Sequence, residues 1–250
     1  MLTGTQISNI LLGKSLSQRE EIVTDLIVKD SNFPSWVSSK RFIKVSETGT
    51  DSEGTNVVIS FFTSQDYLSV GTDYDFIRIP LKPTTAQKIL THLNCMFPTK
   101  HMVDTIYKNS HVRLEPKPIS PKPGAPGRED FRTFLRSNKL IEDQLNGCFL
   151  APGSIIAGHK KDLVVTNQLL SNPGKVAIYG WHTGNGLPIQ PLFLGHGDFY
   201  VDYSHGIRLI STTCEVDGKP EDLMTVLSSS KYGSILTGEK PLKVEACKYK

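Results

Sequence analysis

Five prolines within thirteen residues constrain the fold of this 250-residue chain more than any other feature. They lie between residues 115 and 127, in the order Glu-Pro-Lys-Pro-Ile-Ser-Pro-Lys-Pro-Gly-Ala-Pro-Gly. Each proline fixes its own φ and removes a backbone donor, so this segment fits neither a helix interior nor an inner strand. We predict an extended, polyproline-like connector. It either crosses one domain as a strap, or joins an N-terminal domain (1–114) to a C-terminal β-rich domain (128–250).

Helical and strand-like patterns are mixed along the chain without strict β–α alternation. Apolar residues recur at helical spacing over 18–29, 84–93, 99–108 and 128–145. Strand patterns cover 41–45, 57–62, 67–71, 76–79, 154–157, 163–166, 175–181, 189–194, 199–203 and 207–212, and a short helix is predicted to open at 219–222. This mixture predicts an α+β fold with a mixed or antiparallel, β-rich C-terminal half. We favour a single unit over 1–250, with 115–127 as the strap.

Charge and hydropathy narrow the range of partners. The net charge of +3 is not gathered into the Lys/Arg stripe of a dedicated nucleic-acid binder, so nucleic acid is a less favoured partner than another polymeric or small-molecule substrate. No apolar run approaches the ~20 residues needed to cross a bilayer, which predicts no membrane span. The first residues do not resemble a signal peptide. The sequence leaves the cellular compartment open. One option is secretion or a periplasmic location, directed by a leader outside this sequence.

Four of the seven histidines fall within 47 residues. They are His159, His182, His196 and His205, each beside glycine or polar residues and near a short apolar run. An imidazole can serve as base, acid or metal ligand near neutral pH. Neighbouring glycines allow tight turns and close approach of a ligand. We therefore predict loop ends that surround one catalytic pocket.

The first mechanism we consider is thiol-based attack on an amide or ester in a peptide-like polymer. It needs a thiolate at a helix N-terminus and an imidazole from elsewhere in the chain. Cys95 precedes the predicted helix at 99–108, and His159 or His205 is the expected base. The residues expected to orient the base are Asp162, His182 and Asp202. A cysteine before a helix followed by a histidine that leads a strand is similar to the order in papain-like and NlpC-type peptidases.

A local motif resembles a second family. Ser204-His205-Gly206-Ile207-Arg208 is similar to the Ser-His-Gly-Cys-x-Arg signature of L,D-transpeptidases, which act on peptidoglycan. The position of the family's nucleophilic cysteine is either occupied here by Ile207 or deleted, and the nearest cysteine is Cys214. The resemblance implies that the transpeptidase chemistry is lost or relocated, while His205 and Arg208 keep an acid–base and anion-binding role.

Two other functions remain open. Metal-independent phosphodiester cleavage needs a base, an acid and cations, and a group of residues in the C-terminal half supplies these types: His159, Lys160, Lys161, Tyr203, His205 and Arg208. Ser204, beside His205, is a further candidate catalytic residue. The expected substrate-binding residues are Arg208, Lys160, Lys161, Trp181 and His196. We predict no cofactor; the alternative is zinc held by His196, Asp198 and His182. The non-enzymatic alternative is a glycan- or protein-binding module that uses Trp181, Tyr200 and Tyr203.

The chain as a whole resembles a group of uncharacterised bacterial proteins, many of them exported. The matching pieces are 98–100, 104–107, 158–162, 179–182 and 203–208. The resemblance implies one unit on both sides of the connector and no particular activity. His92, His101 and His111 are expected at the surface, although His101 would line the cleft if Cys95 does.

Overall fold

The computed structural model describes residues 1–120 and 122–249 and has the predicted α+β fold. The α-helices are α1 (Gly4–Leu11), α2 (Leu16–Val28), α3 (Pro83–His92), α4 (Lys100–Asn109), α5 (Phe131–Leu145), α6 (Leu223–Ser228) and α7 (Gly233–Thr237). The strands are β1 (Ile43–Thr50), β2 (Asn56–Thr63), β3 (Ser69–Gly71), β4 (Phe76–Arg78), β5 (Cys95–Met96), β6 (Val112–Arg113), β7 (Ile156–Ala157), β8 (Lys161–Leu163), β9 (Ile178–His182), β10 (Pro188–Phe193), β11 (His205–Gly206), β12 (Ile210–Val216) and β13 (Lys219–Asp222). Among these residues no helix is long and apolar enough to span a bilayer.

The larger sheet combines strands from both sides of the proline connector. Its order is β1-β2-β12-β13, all antiparallel, with β5 paired beside part of β12. The buried residues Val45, Ile59 and Phe61 of the first hairpin belong to the same apolar cluster as Ile210 and Cys214 of β12. A division of the chain at residue 114 would separate these pairing partners.

The smaller sheet supports the candidate site. Its order is β10-β9-β8-β11, with β9 antiparallel to both neighbours and β11 parallel to β8. All five residues of β9 are buried. Helix α4 packs against β9, and it begins where the Thr99 side chain accepts a hydrogen bond from the backbone N–H of Met102.

The connector is tied to the folded body at several points. Ile119 is buried, and its backbone N–H donates a 2.7 Å hydrogen bond to the Tyr203 hydroxyl. The backbone of Glu115 is hydrogen-bonded in both directions with the side chain of Gln144 on α5. Pro121, within the predicted strap, lies outside the described residues.

Three local predictions are wrong. The helix expected from residue 18 begins at Leu16, because Ser15 is its cap: the Ser15 hydroxyl accepts a hydrogen bond from the backbone N–H of Gln18. The segment 199–203 forms turns rather than a strand. Residues 219–222 form β13 rather than a helix, because Asp217 and Gly218 adopt the positive φ values of a two-residue hairpin turn.

Candidate active site

A cavity of about 470 Å³ lies between α4 and the β9–β10 hairpin. Its walls include Asp104, Tyr107 and Lys108 from α4, and Tyr179 and His182 from β9. Arg113 and the turn between β9 and β10, at residues 184–186, complete its rim. Of the four clustered histidines, His182 is the one that reaches this cavity.

Asp104 is the centre of a short hydrogen-bond network in the cavity wall. Its Oδ1 lies 2.9 Å from Nε2 of His182 and accepts a 2.7 Å hydrogen bond from the Tyr179 hydroxyl. The Tyr107 ring stacks on the His182 ring at 4.5 Å between centroids. Oδ1 is therefore fixed by two donors, while Oδ2 has no hydrogen-bond partner among the described residues.

A backbone distortion in β9 creates this arrangement. Side chains three residues apart in a regular strand point to opposite faces of the sheet. Gly180 and Trp181 have φ values of 107° and 59°, in the left-handed region that disfavours a residue such as tryptophan. This turn of the chain lets both Tyr179 and His182 reach Asp104, and such strain is often found at functional sites.

The carboxylate, and not the imidazole, is the accessible member of the pair. The side chain of Asp104 is 27% exposed and that of His182 only 3%. Burial alone would raise the pKa of Asp104, but the hydrogen bonds from His182 and Tyr179 lower it below its ordinary value. We predicted a catalytic role for His182 itself; its position instead suits the orientation of Asp104.

A second cavity of about 400 Å³ shares Asp104 with the first. Its lining includes Lys100 and His101 from α4, Leu192 from β10 and Glu239 near the end of α7. His101 precedes Asp104 by three residues, so the two side chains lie on one face of the helix, one turn apart. The His101 side chain is 28% exposed, and its Nε2 lies 3.7 Å from Oε2 of Glu47. A carboxylate and an imidazole therefore line the same cleft.

His159 lies in the protein interior. Its Nε2 is 3.1 Å from Oδ1 of Asp66, and the other oxygen of Asp66 pairs with Arg78 at 2.7 Å. All three side chains are almost fully buried. Burial lowers the pKa of His159 to about 4 despite the neighbouring carboxylate, so the ring is neutral near pH 7. Its Nδ1 is enclosed and has no partner among the described residues.

Asp162 and Arg208 also belong to the core. The Tyr67 hydroxyl donates a 2.9 Å hydrogen bond to Asp162, whose pKa burial raises to about 6. The Arg208 guanidinium lies 4.1 Å from the centroid of the Tyr67 ring and donates to the backbone carbonyls of Ser64 and Ile156. A buried guanidinium engaged in this way is not the anion clamp that we expected.

Asp202, Ser204 and His205 form a third group. One carboxylate oxygen of Asp202 accepts hydrogen bonds from the backbone and hydroxyl of Ser204, and the other accepts from Tyr200. His205 is buried, and burial lowers its pKa to about 4. The His196 ring stacks on Tyr200 at 4.1 Å. These contacts do not reach the cavity beside α4.

The other residues expected to bind substrate, Lys160, Lys161 and Trp181, contribute to internal packing instead. Lys160 is buried and donates to Ser137 and to the carbonyl of Tyr203, and burial lowers its pKa to about 7. The Lys161 ammonium lies 5.0 Å from the centroid of Trp181, which is itself buried. Trp181 and Tyr203 therefore offer little open aromatic surface for a glycan.

Cys95 does not occupy the helix N-terminus that we predicted. It lies in β5, where it pairs with Ser211 of β12, and the N-cap of α4 is Thr99. Its thiol is buried and donates to the Leu93 carbonyl at 3.3 Å. Burial raises the pKa of this thiol to about 12, which opposes formation of a nucleophilic thiolate.

The histidines thus belong to separate groups rather than to one pocket. Across residues 1–120 and 122–249 there is no set of three or more His, Cys, Asp or Glu side chains arranged to hold a metal ion. The zinc set that we considered is not assembled, because His182 bonds Asp104 while His196 stacks on Tyr200.

Asp104, Tyr107 and Tyr179 were not among the predicted site residues, and His101 was expected at the surface unless Cys95 lined the cleft. The sequence does contain a signal for three of them. His101, Asp104 and Tyr107 follow one another at intervals of three in a helix with Met102, Val103 and Ile106 inward, so they share one face. The contribution of Tyr179 depends on the distortion at Gly180, which the sequence does not reveal.

No family model, curated protein or solved structure matches this chain.

Proposed function

We propose that the protein cleaves phosphodiesters by general acid–base catalysis, with Asp104 as the base and His101 as the acid. One observation carries this proposal: Asp104 lines both cavities, with one oxygen fixed by His182 and Tyr179 and the other without a hydrogen-bond partner among the described residues. A fixed carboxylate beside an imidazole, one helical turn away, provides a proton acceptor and a proton donor in one cleft.

The cations around the cleft favour a phosphate over an amide. Lys108 and Arg113 line the first cavity, and Lys100 lines the second. Arg113 is oriented by hydrogen bonds from Nε and Nη2 to the carbonyls of Tyr107 and Lys108. Preoriented cations stabilise the charge that develops on phosphate oxygens during the reaction. Amide attack through Cys95 has no such support, because its thiol is buried away from this cleft.

The test uses bis(p-nitrophenyl) phosphate as substrate. Asp104→Asn keeps the shape of the side chain but removes the base, so we expect kcat/KM to fall about 10²- to 10³-fold. His101→Gln should have little effect, because p-nitrophenolate leaves without a proton. His92→Gln, on the exposed face of α3, is the matched control.

Two outcomes would contradict the proposal. One is a wild-type protein that cleaves neither bis(p-nitrophenyl) phosphate nor a polymeric phosphodiester. The other is full activity in Asp104→Asn. Parallel assays with p-nitrophenyl acetate and a peptide substrate measure the amide and ester alternatives. Inactivation by iodoacetamide with labelling of Cys95 would restore the thiol mechanism.

A further inference from the structure

We infer that the substrate is RNA, cut internally, with the ribose 2′-hydroxyl as the nucleophile. This inference rests on the proposed phosphodiester cleavage. It adds the source of the nucleophile, the kind of polymer and the position of the cut.

The described residues that line the two cavities supply no free hydroxyl or thiol as a nucleophile, and the hydroxyls of Tyr107 and Tyr179 donate to the Thr183 carbonyl and to Asp104. No serine or cysteine is among them. The three threonines of the second cavity already donate their hydroxyl protons: Thr99 to the Leu236 carbonyl, Thr166 to the Glu239 side chain and Thr237 to the Glu239 carbonyl. A site with a base and an acid but no nucleophile suits a substrate that carries its own attacking hydroxyl. Among phosphodiester polymers, RNA has that hydroxyl beside every linkage.

The two cavities lie along the same two elements. Helix α4 contributes residues from Lys100 to Lys108, a rise of about 12 Å at ~1.5 Å per residue. Strand β10 contributes residues from Pro188 to Leu192, about 13 Å at ~3.3 Å per residue. This length accommodates about four nucleotides at the ~3.4 Å spacing of a stacked strand.

Asp104 lies in the middle of this cleft. It is the lining residue common to both cavities; Lys108 and Arg113 line the first cavity, and Lys100 lines the second together with Glu239. Phosphates on either side of the reacting one would therefore each meet a cation. A reacting carboxylate flanked by binding positions in both directions predicts cleavage within a chain rather than removal of terminal units.

The first step is a transesterification. Oδ2 of Asp104 takes the proton of the 2′-hydroxyl, and the 2′-oxygen forms a bond to phosphorus. The bond from phosphorus to the 5′-oxygen of the next nucleotide breaks, and that oxygen takes a proton from His101. The products are a 2′,3′-cyclic phosphate and a 5′-hydroxyl.

In the second step the roles reverse, as microscopic reversibility requires. His101 takes a proton from water, whose oxygen attacks phosphorus, and the bond to the 2′-oxygen breaks. Asp104 returns a proton to that oxygen. The enzyme regains its starting protonation state, and the product is a 3′-phosphate.

The experiment compares defined oligomers by gel electrophoresis and mass spectrometry. The probes are a 12-residue oligouridylate, the same oligomer with one 2′-deoxy residue, its fully deoxy counterpart and a circular oligouridylate. We expect cleavage of the first, with 2′,3′-cyclic phosphate ends, and cleavage of the circle, which has no ends. The single deoxy linkage should resist cleavage by at least about 10³-fold.

Variants distinguish RNA cleavage by this site from cleavage by a contaminating nuclease, and they separate the RNA inference from the proposed function. Asp104→Asn, purified in the same way, should lose RNA cleavage. His101→Gln should lose about 10²- to 10³-fold on RNA yet retain activity on uridine 3′-(p-nitrophenyl phosphate), whose leaving group needs no acid. His92→Gln should match wild type in every assay.

The outcomes are distinguishable. Equal cleavage of the ribose and fully deoxy oligomers would overturn the 2′-hydroxyl inference while leaving phosphodiester cleavage intact. An intact circle beside a cleaved linear oligomer would overturn internal cutting. Hydrolysis of bis(p-nitrophenyl) phosphate without any RNA cleavage would overturn the substrate assignment alone. Inactivity on every phosphodiester would contradict the proposed function itself.

Discussion

At the scale of single residues, the site reverses the usual exposure of a carboxylate–imidazole pair. In many hydrolases the carboxylate is buried and orients an accessible imidazole. Here the buried ring of His182 contacts the rings of Tyr107 and Tyr179, and Asp104 is the more exposed partner. In the proposed mechanism His182 is therefore a positioning residue, whose loss should alter the properties of Asp104 rather than abolish the chemistry.

This role predicts a change in the pH dependence of activity for His182→Phe, which keeps a ring beside Tyr107 but has no hydrogen-bond donor for Asp104. The hydrogen bond from His182 lowers the pKa of Asp104, so its loss should raise that pKa. The acidic limb of the kcat/KM profile, which falls as Asp104 becomes protonated, should therefore move to higher pH. The measurement is a pH–rate profile from pH 3 to 9 on bis(p-nitrophenyl) phosphate. An unchanged limb with a uniformly lower rate would instead indicate a purely structural histidine.

The sequence predicted which histidines stand out but not how they are used. His159, His182 and His205 are conspicuous because polar residues and glycines surround them, yet burial of a polar group depends on partners distant in sequence. Asp66 is 93 residues from His159, and Asp104 is 78 residues from His182. Spacing along the chain does not reveal such distant pairs, so the prediction of one pocket shared by the four clustered histidines was wrong.

At the scale of elements, helix α4 matters most, and the sequence predicted it well. Its apolar period and the Thr99-Lys100 boundary gave its extent to within one residue. Periodicity succeeds here because a helix that packs on a sheet needs a continuous apolar stripe. It failed for 199–203 and 219–222, where turns decide the structure and short polar stretches fit a strand, a helix or a loop equally well.

The N-cap of α4 gives a prediction at this scale. Thr99→Ala removes the cap and leaves the buried Leu236 carbonyl without its donor, so we expect a loss of about 2 kcal/mol in the free energy of unfolding. Because α4 carries both reacting groups, kcat should fall as well. Thr99→Ser keeps the hydroxyl and is the matched control. Urea denaturation and the phosphodiester assay measure both effects; equal stability of the two variants would contradict a capping role.

At the scale of the whole molecule, the proline connector does not separate the strands of the larger sheet. Strand β2 pairs with β12 across it, and Ile119 of the connector bonds to Tyr203. The sequence left the choice between a strap and a linker open, because proline content reports an extended backbone but not the contacts on either side of it.

This pairing predicts the behaviour of the isolated C-terminal segment. A fragment of residues 128–250 would expose the β12 edge and the apolar residues that pack on β2, so we expect it to lack cooperative unfolding. Circular dichroism and differential scanning calorimetry on the fragment and the full chain make the comparison. A sharp thermal transition in the fragment would show that the C-terminal segment is an independent domain.

His101 and Asp104 both belong to helix α4, one turn apart. Small movements of the β9–β10 hairpin relative to α4 would change how readily a strand enters the cleft. They would leave the distance between His101, the proposed proton donor, and Asp104, the proposed acceptor, nearly constant. Entry of the substrate strand and the proposed acid–base step therefore depend on different parts of the structure. Substitutions along β10 could retune which polymers are admitted without retuning the reaction that follows.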